Sequence, residues 1–380
     1  MDKEIRDREM RIAEEFFLQW NAFSKAALAI LAPHCPMTPG DKVRPWDDGV
    51  GPNGLMVHYT GGPNGIASIC WANENAENTG SSWHCTVLDC RLQEIEDIWN
   101  SFPMVVAYLP VTAILHAKLD MGTWHGNAGN KYCFGLENRN LGLLTESGGK
   151  IYRQAGSKRY YPKDGKEPVL VYGKWWEPYT QEQLIANINI GRMLKYWRGE
   201  KFIPNWVIPH QFIRGCKSDT GSAYPMIHVR NAIFNDVPIK SIKWLKDYQN
   251  ALVLPYPDDE DVLDYDEKRL DVDIGSGKEA IGKEILVEPQ DFDKVHGESW
   301  RDYLPACRSN LTLLGGYCPD PGIDVAETDL DKDLQIAVTQ FQTSTWDPKY
   351  SGKKLTVDGI PGSSTREEIE RRLRFFGHNV

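Results

Sequence analysis

Gly54-Leu55-Met56-Val57-His58-Tyr59 is a short apolar run that ends in a histidine. Its length suits a buried strand with a polar residue at its C-terminal tip. Three more apolar runs follow: Trp83-His84-Cys85-Thr86-Val87-Leu88, Met104 to Leu115 broken by Pro110, and Tyr132-Cys133-Phe134-Gly135-Leu136-Glu137. Pro204-Asn205-Trp206-Val207-Ile208-Pro209-His210 reads as a further strand that also ends in histidine. Thr180 to Gly199 has helical spacing instead, with Leu184, Ile188, Met193, Leu194 and Trp197 apolar and Thr180 placed as N-cap. Strands and helices mixed in this way predict an α/β layer fold.

On the N-terminal side, Ile12, Phe16, Trp20, Phe23, Ala27 and Ile30 recur at steps of three and four, which predicts one amphipathic helix over residues 1–32. Such a stripe either packs on the main domain or docks a partner or a membrane surface, and both readings stay open. Pro33 to Pro63 is rich in Pro and Gly and reads mostly as loops. Residues 33–255 form the main domain in this reading. From Tyr256 to Glu298 there are 15 acidic against 5 basic residues, which favours solvation over packing and predicts a linker over 256–298. The composition becomes globular again over 299–380, where Asp302 to Leu314, Leu334 to Gln342 and Ser364 to Phe375 each read as a short helix.

A chain of 380 residues is too long for one simple core. With 41% hydrophobic and 25% charged residues it matches an ordinary soluble protein, so wholesale disorder and a membrane bundle are excluded. No apolar run approaches the roughly 18–20 residues that span a bilayer, so stable membrane insertion is not expected. The N-terminus lacks the pattern of a secretory signal, so passage across a membrane is expected to need outside help. The net charge of −10 argues against nucleic acid as a partner. The eight cysteines include no C-x-x-C pair, which excludes a zinc ribbon and a thioredoxin motif. Free thiols are the expectation, with Cys307 and Cys318 as a pair if the protein matures in an oxidising place.

Two of the nine histidines, His58 and His210, end predicted buried strands, and Asp219 follows nine residues after the second. Two imidazoles and one carboxylate from separate segments suit a three-ligand zinc site with a position left for water. A histidine near a strand end is also commonly a hydrogen-bonded core residue, and the residues alone leave both readings open. The chain has no H-E-x-x-H, so a helix-borne zinc protease site of that type is excluded.

Val57-His58-Tyr59-Thr60 resembles the first metal-ligand motif of the zinc-dependent N-acetylmuramoyl-L-alanine amidases, the type 2 amidases related to the peptidoglycan recognition proteins. Ser81-Ser82-Trp83-His84-Cys85-Thr86-Val87 resembles their next strand, and Gly122-Thr123-Trp124-His125-Gly126-Asn127 their Trp-His-Ala-Gly segment. Asn130-Lys131-Tyr132-Cys133-Phe134-Gly135-Leu136-Glu137 is similar to Asn-x-x-Ser-Ile-Gly-Ile-Glu, and His210 with Lys217-Ser218-Asp219-Thr220-Gly221 to the closing motif. The five motifs run in the family's order between Val57 and Gly221.

The resemblance implies a mixed central β-sheet flanked by helices, with His58, His210 and Asp219 holding Zn2+. It implies Glu137 as general base and Lys217 as stabiliser of the oxyanion. Trp83, His84, Trp124, His125 and Asn130 fall to the substrate groove or its supports. The bond cut would join N-acetylmuramic acid to L-alanine of the stem peptide in peptidoglycan. Some relatives carry Tyr at the position of Trp83, which puts the acid–base work on Glu137 here. The usual Pro after the ligand Asp is Thr220. Lys150 to Glu177, with Tyr152, Tyr160, Tyr161, Tyr172, Trp175 and Trp176, reads as an inserted loop whose aromatics either stack on sugars or form core.

Ala337-Val338-Thr339-Gln340-Phe341-Gln342 and Asp358-Gly359-Ile360-Pro361-Gly362-Ser363-Ser364-Thr365 are similar to the signature of the small three-helix peptidoglycan-binding domain. Asp358-Gly359 would make a tight turn, and Gly362 a left-handed residue before Ser364 or Thr365 caps the last helix. Taken together, the resemblances imply a phage endolysin-like wall hydrolase made in the host cytoplasm without a signal peptide. It would act on the cell wall after release, or as a virion-attached lysin docked through the N-terminal helix. A non-catalytic wall-binding module and a structural virion protein with an amidase fold are the alternatives.

Overall fold

A computed structural model of the chain describes residues 3–46, 51–74, 82–125, 130, 132–152, 160–161, 166–213, 219–248, 298–314, 330, 332–343, 355 and 359–375. The fold is α/β. Its central sheet has the order β12-β2-β6-β3-β4, built from β2 (Gly54–Tyr59), β3 (Cys85–Val87), β4 (Ala113–Leu115), β6 (Cys133–Asn138) and β12 (Val207–Pro209). β12, β2, β6 and β3 run parallel, and β4 pairs antiparallel with β3, so the sheet is mixed. Leu55, Val57, Phe134, Leu136, Cys85 and Val87 share one face by alternation and are all fully buried. The other face carries Met56, His58, Gly135, Glu137 and Thr86. Polar chemistry is thus confined to one side of strands whose other side is core. Pro209 is tolerated because β12 is an edge strand.

Both edges of this sheet are covered. α1 (Lys3–Leu31) buries Ala13, Phe16, Phe17, Trp20, Phe23, Ser24, Ala27 and Leu28. From that face the Trp20 indole donates to Ala113 O at 2.8 Å, and Ser24 Oγ accepts from Leu115 N–H at 2.8 Å, which satisfies β4 along its outer side. At the opposite edge Arg230, on α7 (Met226–Phe234), donates through Nε and Nη2 to Val207 O at 3.0 and 2.7 Å. The stripe on α1 therefore faces the chain's own core, and that face is not available to a partner. Ile30, expected on the stripe, is 50% exposed, and Leu18 lies outside it at 66%.

α5 (Gln181–Arg198) starts where the sequence placed it. Thr180 Oγ1 accepts from Gln183 N–H at 3.1 Å, and the Gln183 side chain returns a bond to the Thr180 N–H at 3.0 Å. The apolar run Met104 to Leu115 divides between two elements: Pro103 at the first helical position opens α4 (Pro103–Tyr108), and β4 follows. One expectation is corrected. Lys150 to Glu177 is not simply a loop. β7 (Leu143–Ser147), β8 (Lys150–Tyr152), β9 (Tyr160–Tyr161), β10 (Val169–Val171) and β11 (Lys174–Trp176) form a second, antiparallel sheet. Tyr161 and Trp176 are buried, so they serve packing, while Tyr152, Tyr172 and Trp175 are half-buried. The remaining short pieces are β1 (Val43–Pro45) with β5 (Met121–Thr123), α2 (Gly65–Glu74), α3 (Glu96–Asn100) and α6 (His210–Ile213).

Of the acidic segment, residues 256–297 lie outside the described residues. Beyond it are α8 (Leu304–Leu313), α9 (Lys332–Thr343) and α10 (Ser363–Phe375). Gln342 explains part of their signature: its Nε2 donates to Ile360 O at 2.8 Å and Thr365 Oγ1 at 3.0 Å, and its Oε1 accepts from Gly359 N–H at 2.8 Å. The left-handed residue is Gly359 (φ +74°) and not Gly362, and α10 begins at Ser363, ahead of the expected caps Ser364 and Thr365. Cys307 is fully buried, and its expected partner Cys318 lies outside the described residues. α9 and α10 bear on α6. Arg372 Nη1 donates to Phe212 O at 2.7 Å, its guanidinium lies 4.2 Å over the Phe341 ring, and Phe341 packs 5.9 Å from Phe212. Among the described residues, no helix is long and apolar enough to cross a membrane.

Candidate metal centre

The C-terminal ends of β12 and β2 bring His210 and His58 side by side, with ring centroids 4.4 Å apart. Asp219 returns to them because Gln211 N–H donates to Asp219 O at 2.6 Å and Gly221 N–H to Gln211 Oε1 at 2.7 Å. Tyr179 Oη donates to Thr220 O at 2.9 Å and holds the same turn from the other side. The result is one buried cluster: Asp219 Oδ2 lies 3.0 Å from His58 Nδ1 and 2.9 Å from His210 Nδ1.

A chain of hydrogen bonds decides the tautomer of His58. His125 Nε2 lies 2.9 Å from Cys133 O. A carbonyl accepts, so that nitrogen carries the proton and His125 Nδ1 is an acceptor. His58 Nε2, at 3.1 Å, must then donate to it. The His58 lone pair is left on Nδ1, facing a carboxylate oxygen. Two lone pairs at this distance repel unless a proton or a cation lies between them. Among the described residues, the buried His210 Nε2 has no hydrogen-bond partner, a further sign of an incomplete polar cluster. Two imidazoles and one carboxylate are the donor set of a hydrolytic zinc site, so these residues fit Zn2+.

Burial pushes the Asp219 carboxyl up, but the neighbouring imidazoles, His210 foremost, outweigh it and hold the group well below the usual carboxylate range. Burial, reinforced by His58 and His84, pushes His125 well below an ordinary imidazole. Burial takes His84 down to about 4 and His116 to about 3, so both are neutral at pH 7.

Glu137 pairs in register with His58 on the neighbouring strand and is on the same face, with 9% of its surface exposed. The run Asn138-Arg139-Asn140 after it is buried, not a solvated turn. Lys217 lies outside the described residues. The groove expectations divide. Trp124 is 37% exposed with the Arg44 guanidinium 5.5 Å from its ring, so it can meet a ligand. Trp83, His84, His125 and Asn130 are buried. The Trp83 indole donates to Thr86 Oγ1 at 2.7 Å. His84 stacks between Trp46 and Phe134, and Asn130 Oδ1 accepts from His125 N–H at 2.6 Å.

Sequence reasoning assigned no role to Gln211, Tyr179 or Gly135; Gly135 stood inside a quoted motif and Gln211 beside a candidate ligand, while Tyr179 had no local signal. An added Cβ on Gly135 would come within 2.8 Å of the His125 ring, so the glycine makes room for the residue that orients His58.

No family model matches the chain, and no curated protein matches it at a significant level. Two solved structures bear a slight likeness. One is the N-acetylmuramyl-L-alanine amidase AmiD from E. coli in complex with anhydro-N-acetylmuramic acid-L-Ala-D-gamma-Glu-L-Lys, with 15% identity, 86% of this chain and 91% of that one covered, and a TM-score of 0.34. The other is AMPDH3 from Pseudomonas aeruginosa in complex with anhydromuramic pentapeptide, with 15% identity, 86% and 92% covered, and a TM-score of 0.30. At these values the likeness decides nothing about the chemistry, which rests on the side chains above.

Proposed function

We propose that this chain is a zinc-dependent hydrolase that cuts the amide between N-acetylmuramic acid and L-alanine in peptidoglycan. The observation that carries the reading is the convergence of His58, His210 and Asp219 with Glu137 in register on the next strand. Zn2+, when bound, would acidify a water molecule and polarise the scissile carbonyl. Glu137 takes the proton from the attacking water and hands it to the leaving amine of L-alanine. Lys217, two residues before Asp219, stabilises the negative charge that develops on the carbonyl oxygen. Trp124 offers an exposed aromatic face to a sugar ring. His125 orients His58 so that its Nδ1 faces Asp219 within the cluster.

The C-terminal helices, with their wall-binding signature, would hold the enzyme near its bonds and raise their effective concentration. A hydrolytic cluster and that signature in one chain support a lysin that acts on the wall after release or from a virion.

Digestion of purified peptidoglycan tests the reading. Wild type is expected to hold zinc and free stem peptides with an unmodified L-alanine amine. Glu137→Ala is expected to keep the metal and lose roughly 10²- to 10⁴-fold in rate. A wall that is bound but never cut would make the chain a binding or structural module instead.

A further inference from the structure

A second cluster of metal-binding side chains lies outside this site, where the end of α1 meets the end of α2. Cys70 and Glu74 are four residues apart on α2 and so share a helix face. His34 follows α1, and its Nε2 lies 3.9 Å from Glu74 Oε1. The ligand atoms of His34, Cys70 and Glu74 all lie within 4.8 Å of one another. Cys35, next to His34 in the chain, brings a second thiol beside this group: burial, with the Cys70 thiol near it, pushes the Cys35 thiol up. The turn that carries His34 and Cys35 is already tied to α2: Asn73 Nδ2 donates to Pro36 O at 2.8 Å, and Thr38 Oγ1 to Asn73 Oδ1 at 3.2 Å.

We propose that His34, Cys35, Cys70 and Glu74 form a second, structural site for a thiophilic divalent cation of the Zn2+ class. Two sulfurs, one imidazole nitrogen and one carboxylate oxygen make a four-donor set, which is the closed coordination of a structural zinc and not the open one of a catalytic centre. Sulfur donors select this class over Mg2+ and Ca2+, which take oxygen ligands. Two of the four come from one turn and two from one helix, so a bound ion would clamp the end of α1 to the end of α2. Binding displaces the two thiol protons to solvent as the thiolates become ligands. His34 is largely exposed and Glu74 partly so, which leaves an entry path for the ion.

Cobalt titration of the full, reduced chain tests this, because thiolate ligation to Co2+ gives a near-ultraviolet charge-transfer band. The site of His58, His210 and Asp219 has no sulfur and gives none. Wild type is expected to show the band and to hold about two zinc ions per chain. Cys70→Ser is expected to lose the band and one equivalent of metal while wall hydrolysis persists. Glu74→Gln, which spares both thiols, is expected to weaken Co2+ uptake at this site. His58→Ala is expected to keep the band, which separates failure here from failure of the proposed activity. The proposal is overturned if reduced wild type shows no band, or if Cys70→Ser retains it. It is also overturned if Cys35 and Cys70 are recovered as a disulfide that, once reduced, takes up no metal.

Discussion

His125 sits in a line of contacts from Cys133 O to His58, and its worth is in fixing which nitrogen His58 presents. Replacing His125 with Ala is expected to weaken zinc binding about 10- to 100-fold, read by competition with a chelator. Gly135→Ala should do the same without touching any ligand, because its methyl group would displace the His125 ring. His84 and His116 make a separate prediction about pH. Both are buried neutral, with folded values of about 4 and about 3 against an ordinary 6.5. Below pH 6.5 the unfolded chain takes up protons that the folded chain refuses. Stability is therefore full above that pH and falls as pH drops toward 4, by roughly 1 kcal/mol per pH unit for each histidine. His116→Gln should flatten this slope in urea unfolding measured from pH 7 to 4. At this scale the sequence was half legible. His58, His210 and Glu137 stand at strand ends where local pattern finds them, and Asp219 follows nine residues after His210. The supports of those residues do not show, because Cys133, His125 and His58 meet only after folding.

Elements were legible where one period ran long enough. α1 and α5 announce themselves by spacing, and β2 and β6 by unbroken apolar runs. The second sheet was missed because its strands are two to five residues long, too short for alternation to show. Met104 to Leu115 stayed ambiguous because helix and strand share one apolar run, divided only around Pro110. The stripe of α1 was ambiguous in sequence, since packing and docking ask for the same residues. Trp20 now separates them: it is fully buried and bonded to β4. Trp20→Ala should cost about 3–5 kcal/mol in chemical denaturation. It should also promote aggregation on light scattering, because β4 would lose its cover.

Across the whole molecule, the C-terminal helices are a support as well as a candidate tether. A pure tether would leave hydrolysis of a small soluble muropeptide unchanged when removed. Here Arg372 and Phe341 bear on Phe212, two residues from His210. Removing residues 299–380, or making Arg372→Ala, should lower the melting temperature of the remaining hydrolase and slow even the soluble substrate. The sequence showed these helices and their signature but not where they rest, since contacts between residues 160 positions apart leave no local trace.

That long contact also bears on the order in which the protein is made. Asp219 leaves the ribosome 153 residues before Arg372, yet the turn behind His210 gains its support from the helix that carries that arginine. At roughly 5–20 residues per second, the interval is on the order of ten seconds. Through that interval the turn behind His210 lacks its brace, so the cluster of His58, His210 and Asp219 is expected to settle only after Arg372 has emerged.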